Sequence, residues 1–179
     1  MAGHNKWSKI KHKKAVTDSA KSKVYSRYNK MIQIAIKNAN GDPNATSVLN
    51  VINAAKAENV PKDNIERAIK KATSSDAQAL TEVLYEGYGP AGVGMLIKAV
   101  TDNTNRTVTE VKTIFTKNGG SFASTGAVSW AFSKNQEGDW VPNEGTEIKL
   151  SEEDEEKLEN LIELFQDNDD IVGVYVNAA

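Results

Sequence analysis

The sequence predicts an α+β fold: an N-terminal three-helix domain, then a small α/β domain with two helices packed on a mostly antiparallel sheet. Three observations predict it. Apolar residues recur at helical spacing as far as Ala72. Beyond residue 80 they fall into short β-rich runs bounded by glycine turns. Two more helical stripes are set among those runs.

Residues 1–22 are polar and basic and read as an arm running into a helix. The first helix is predicted over 23–37, where Val24, Tyr28, Met31, Ile32, Ala35 and Ile36 make one stripe, with Lys23, Arg27 and Lys30 on another face. NGDP at 40–43 stops it. A second helix is predicted over 44–58, with Val48, Leu49, Ile52 and Ala55 inward. A third follows Val60 with Pro61 in its first turn, where a missing N–H costs nothing, and Ile65, Ala68, Ile69 and Ala72 form its stripe. The TSSD at 73–76 marks a boundary, so the expected domains are 1–76 and 77–179.

Strands are predicted at 83–88 and 93–101 around a Gly-rich turn. A capping box at Thr107 and Glu110 opens a helix lined by Val108, Val111, Ile114 and Phe115, which Gly119 and Gly120 end. Residues 127–132 alternate and read as a strand. Residues 134–146 read as a polar turn or linker and 147–150 as a short strand. Ser151 caps a last helix, with Leu158, Leu161, Ile162 and Phe165 inward, and 171–176 is the final strand.

The net charge of −2 conceals strong polarity. Residues 1–37 hold ten Lys or Arg and one acid, a balance of +9, whereas residues 136–179 hold two Lys and fourteen acids, a balance of −12. A polyanion is drawn to one end and repelled from the other. There is no Cys, which excludes disulfides, thiolate metal sites and Cys nucleophiles. No apolar run approaches the ~18–20 residues that span a bilayer. A cytoplasmic location is expected. The lysine-rich, arginine-poor opening argues against a mitochondrial presequence.

The GYGPAG at 87–92 matches a dinucleotide fingerprint letter for letter, but Pro90 interrupts it and a strand-like run follows, so a tight strand connection with positive φ is expected. His4 and His12 lie eight apart with no carboxylate beside them, which suits neither a metal pair nor a nucleophile system. The acids at 152–156 suit the first turn of a helix. No cofactor, metal, membrane or small-molecule substrate is expected, and no enzymatic activity.

The basic segment is the candidate nucleic-acid interface. Its expected contacts are His4, Lys6, Lys9, Lys11, His12, Lys13, Lys14, Lys21, Lys23, Arg27 and Lys30, with Trp7 the aromatic best placed to stack on a base. A second candidate is the turn at 101–107, TDNTNRT, where Asn103, Asn105 and Arg106 precede a helix N-terminus and offer polar groups to a phosphate.

Several segments, in order, carry a resemblance. They are MAGHNKW at 1–7 with IKHKKA at 10–15, PKDNIERAIKK at 61–71, YEGYGP at 85–90, TDN and NRT in 101–107, NGG at 118–120, VSW at 128–130 and YVN at 175–177. Together they resemble the YebC/PmpR family. The resemblance implies three domains, the third inserted into the second; here 134–146 stands where the insertion is expected. It also implies a regulator that binds nucleic acid. One form is a ribosome-associated translation factor that relieves stalling at proline runs through ribosomal RNA. The alternative is a DNA-binding transcriptional regulator.

Overall fold

The computed structural model describes residues 7, 17–75, 77 and 79–179. Within these, the described residues of 17–83 together with 100–104 gather into one compact unit. Residues 84–99 with 105–179 form another, to which Trp7 belongs.

The first unit holds α1 (Asp18–Asn38), α2 (Thr46–Ala57) and α3 (Lys62–Thr73). α1 begins before the apolar stripe because Thr17 caps it, its hydroxyl accepting the Ala20 N–H at 3.1 Å. Asn40 and Gly41 then turn the chain at positive φ, and the Gly41 N–H returns to the Ile36 carbonyl at 2.9 Å. Val24, Ile32 and Ile36 of α1 pack against Val48, Ile52 and Ala55 of α2 and Ile65 and Ala68 of α3. Each fully buried Val or Ile contributes roughly 1.5–3 kcal/mol. Leu49, expected inward, is exposed: it lies a helical step of 100° past Val48 and misses the α1-facing stripe. Pro61 caps α3 at φ −60°, ψ 146°, one residue before its expected place.

The second unit is built on a four-stranded sheet in the order β3-β1-β2-β6, with β1 at Thr81–Tyr88, β2 at Gly94–Thr101, β3 at Ser121–Ala123 and β6 at Ile171–Val176. β1 pairs antiparallel with β3, and β2 with β6. Two helices, α4 (Thr104–Lys117) and α5 (Glu152–Gln166), join it, and Phe115 of α4 meets Phe165 of α5 edge to face at 4.8 Å. Gly87 faces that layer: a Cβ there would come within 2.4 Å of the Phe115 ring and 2.7 Å of the Ser121 carbonyl, so only glycine fits. The GYGPAG segment is a strand connection. Ala91 and Gly92 take positive φ, and β2 follows where a phosphate-binding loop would open a helix.

Three expectations are corrected here. Residues 127–132 do not form one strand: Ser129–Ala131 is a 3-10 turn, only Phe132 enters a strand, and the strand directly after α4 is the shorter β3. The cause is a side chain. The buried Glu86 carboxylate accepts the Val128 N–H at 3.0 Å, so the loop's donors go to a carboxylate instead of a ladder. Next, 134–146 contains structure. β4 (Phe132–Lys134) and β5 (Trp140–Pro142) form a two-stranded hairpin with Ser133 opposite Val141, closed by Asn135, whose side chain accepts the N–H groups of Glu137 and Asp139. Finally, 147–150 supplies a single bridge, Ile148 to Ala178, in place of a strand. Among the described residues no helix is long and apolar enough to cross a membrane.

Candidate nucleic-acid interface

His4, Lys6, Lys9, Lys11, His12, Lys13 and Lys14 lie outside the described residues. Of the remaining candidates in the basic segment, Lys21 is exposed on the first turns of α1, and Lys23 and Lys30 are half-buried.

Arg27 and Trp7 are corrections. Arg27 retains only 6% of its surface. It follows Val24 by three residues and precedes Met31 by four, so it falls at the edge of the apolar stripe and is carried inward with it. Burial pulls its guanidinium below the ordinary value, while the charges of Tyr28 and Glu58 act the other way. A guanidinium remains charged there, and a side chain so enclosed does not reach a phosphate. Trp7, 5% exposed, offers no open ring face for stacking. Tyr25 and Tyr28 are packed against the helical core.

α3 was missed as a candidate. Its buried edge is Ile65 and Ala68, and Lys62, Arg67, Lys70 and Lys71 stand exposed on the rest of the helix. Asp63, Glu66, Arg67 and Lys70, one helical face, line an open concavity of about 510 Å³. The signal was present in the sequence: the most sharply divided helix also carries four cations in two and a half turns. Its two acids, Asp63 and Glu66, dilute the local charge count. Lys62 pairs with Glu66 at 3.6 Å, an exposed contact of small energetic weight.

The turn at 101–107 folds differently from the expected capping box. α4 already starts at Thr104, which places Thr107 inside the helix. The Asn103 N–H donates to the Thr101 hydroxyl at 2.9 Å, and Asn105 is exposed. Arg106 is committed within the fold: its Nη2 donates to both carboxylate oxygens of Asp170, at 3.2 and 3.0 Å. Thr107 Oγ1 donates to the same carboxylate at 2.9 Å. Asp170 is buried and Arg106 half-exposed, so the arginine neutralises a carboxylate that could not remain buried and charged alone. Burial raises the Tyr85 phenol, and the charge of Asp170 raises it further. Among the described residues no group of three or more His, Cys, Asp or Glu is placed to share a metal ion.

A family model described as the TACO1/YebC protein N-terminal domain matches residues 5–75, and one described as the TACO1/YebC second and third domain matches residues 80–137. The chain is 51% identical over 136 residues to the probable transcriptional regulatory protein GSU1074 of Geobacter sulfurreducens, covering 75% of this chain and 55% of that one. It thus spans about half the length of that relative. It is 37% identical over 237 aligned positions to the probable transcriptional regulatory protein TTE1135 of Caldanaerobacter subterraneus, covering 99% of this chain and 98% of that one. Among solved structures it is similar to the conserved hypothetical protein Aq1575 of Aquifex aeolicus, with a TM-score of 0.81 and 28% identity, covering 98% and 97% of the two chains.

Proposed function

The chain belongs to the TACO1/YebC family, and from that premise we propose that it is a non-enzymatic, nucleic-acid-binding regulator of gene expression whose helical domain holds the phosphate backbone. One observation carries this reading. Residues 1–75 hold fifteen Lys or Arg and five acids, whereas residues 77–179 hold seven and eighteen. The described cations of the first segment, except Arg27, are half-buried or exposed on helix surfaces. A basic domain joined to an acidic one takes a polyanion at one end only.

The finer reading is a cytoplasmic, ribosome-associated translation factor that grips ribosomal RNA and relieves stalling at proline runs. The kind of cation favours it. Thirteen of the fifteen basic residues in 1–75 are Lys, and one of the two Arg is buried. Lysine is a point charge suited to backbone phosphates, whereas base edges in a promoter are read best by the bidentate fork of Arg or by Asn and Gln. The names of the relatives, probable transcriptional regulatory proteins, support the second reading, a DNA-binding regulator. The alignment of 237 positions with a chain of 179 residues supports the view that the 134–146 hairpin stands where relatives carry an inserted domain. The test is a purified translation system on a message with a proline run, with sedimentation of the chain alongside ribosomes. Co-migration and restored synthesis are expected. Tight binding to one promoter sequence without ribosome association would transfer the reading to transcription.

A further inference from the structure

Trp130 is a large apolar side chain that the fold holds in water. It is 69% exposed, the most open of the large hydrophobic residues described. Yet it is held at several points. Its indole N–H donates to the Ala127 carbonyl at 2.9 Å, and its own carbonyl accepts from Asn143 Nδ2 at 3.0 Å. The loop before it is anchored inward by the Val128 N–H on Glu86, and Val128, Ala131 and Phe132 are sunk into a small core with Leu96. The exposed ring is therefore presented by a rigid mount. Tyr88 joins it from β1: it is 38% exposed, and its hydroxyl donates to the same Ala127 carbonyl at 3.2 Å.

We propose that Trp130, with Tyr88 beside it, is a stacking site for one or two unpaired bases of a single-stranded nucleic acid. This rests on the nucleic-acid reading given above and adds to it a second contact, outside the basic segment. Three features select the occupant. Both polar handles, the indole N–H and the phenol O–H, are already spent on Ala127, so what remains is a flat π face. Of the side chains bonded around the mount, Asn143, Ser133 and Thr146 are uncharged, while the Glu86 carboxylate is buried beneath the loop and taken up by its donors. Two rings also offer far too little apolar area for the core of a protein interface, which buries about 1,200–2,000 Å². Within this unit the other exposed large hydrophobic is Leu164, on α5. Base stacking on an aromatic needs no more than a ring face and tolerates any sequence.

The acids of α5 do not oppose such a ligand; the acid nearest the mount along the chain is Glu144, exposed between Asn143 and Thr146. Side chains alternate along β1: Gly87 faces Phe115 and the helices, so Glu86 and Tyr88 face the other way. The glutamates of α5 therefore lie across the sheet from Trp130.

The test uses the full chain and fluorescence anisotropy with two probes, a labelled oligouridylate of about twelve nucleotides and an RNA duplex. Trp130→Ala is expected to weaken binding of the single strand about tenfold and to leave the duplex within about twofold. Trp130→Phe, which keeps a ring but loses the N–H, is expected to retain most of the affinity, and thermal unfolding separates any loss of fold. If the wild-type chain binds both probes and Trp130→Ala binds the single strand equally well, the stacking site is wrong and the nucleic-acid reading stands. Equal loss on both probes also overturns the site. If the wild-type chain binds neither, both proposals fall together.

Discussion

The helical unit and the sheet unit handle buried charge in opposite ways. The sheet unit buries carboxylates and surrounds them with short hydrogen bonds: Asp170 receives Arg106 and Thr107, and Glu86 receives the Val128 N–H. The helical unit buries a cation, Arg27, at the edge of the stripe that packs α1 on its neighbours, and leaves its described lysines half-buried or exposed. The difference teaches that a charged residue in a charged segment is not thereby a contact for a partner. Arg27 and Arg106 both lie in segments that invite a phosphate, and both are used to build the fold. Lys21 and Lys70, by contrast, stand exposed on their helices.

The largest expected effect tests the buried cation. Arg27→Glu places an opposing charge in the core of the helical unit and should cost about 3–5 kcal/mol of stability, read from the shift in a urea unfolding midpoint. An unchanged midpoint would return Arg27 to the surface and to the interface.

Next in size is Glu86. Burial raises its carboxyl, but hydrogen bonds from the backbone of Val128, the hydroxyl of Ser129 and the backbone of Gly126 and Ser129 outweigh burial and hold it below the ordinary glutamate value. A carboxyl depressed in the folded state contributes stability that is present above the unfolded value and is lost as the pH falls through the folded one. Glu86→Gln should cost about 1–3 kcal/mol at neutral pH. The wild-type advantage over that variant should shrink only below about pH 4.5, as seen by comparing their acid unfolding curves. An advantage that disappears at higher pH would show that the hydrogen bonds do not dominate.

The smallest effect on stability should accompany a large one on binding. Lys21→Glu with Lys70→Glu should change stability by less than about 0.5 kcal/mol. If both touch duplex phosphates, the log–log salt dependence of affinity should flatten by about 1.8, or about 1.4 on a single strand. A variant that loses stability instead would erase the contrast between exposed lysines and buried Arg27.

The helical elements were largely legible in the sequence because helix signals are local. Stripes at three- and four-residue spacing, Gly41, the Gly119–Gly120 stop and the Ser151 cap, whose hydroxyl receives the Asp154 N–H at 3.2 Å, all act within one turn. Residues 127–132 failed for the opposite reason. Their alternation is that of a strand, but Glu86, distant in sequence, supplies the acceptor that bends the loop. The candidate site divides likewise. Charge counting located the basic end, but it could not say which cation is enclosed.

By itself, then, the sequence determined the α+β order of elements, the separation of basic from acidic halves and the family, because periodicity, charge and motif are properties of neighbouring residues. Tertiary structure alone decided that Arg27 and Trp7 are buried, that Arg106 is occupied by Asp170, and that Trp130 stands exposed on a fixed mount. Each of those outcomes depends on groups brought together from far apart along the chain, and burial and hydrogen-bond partnership exist only once that approach has been made.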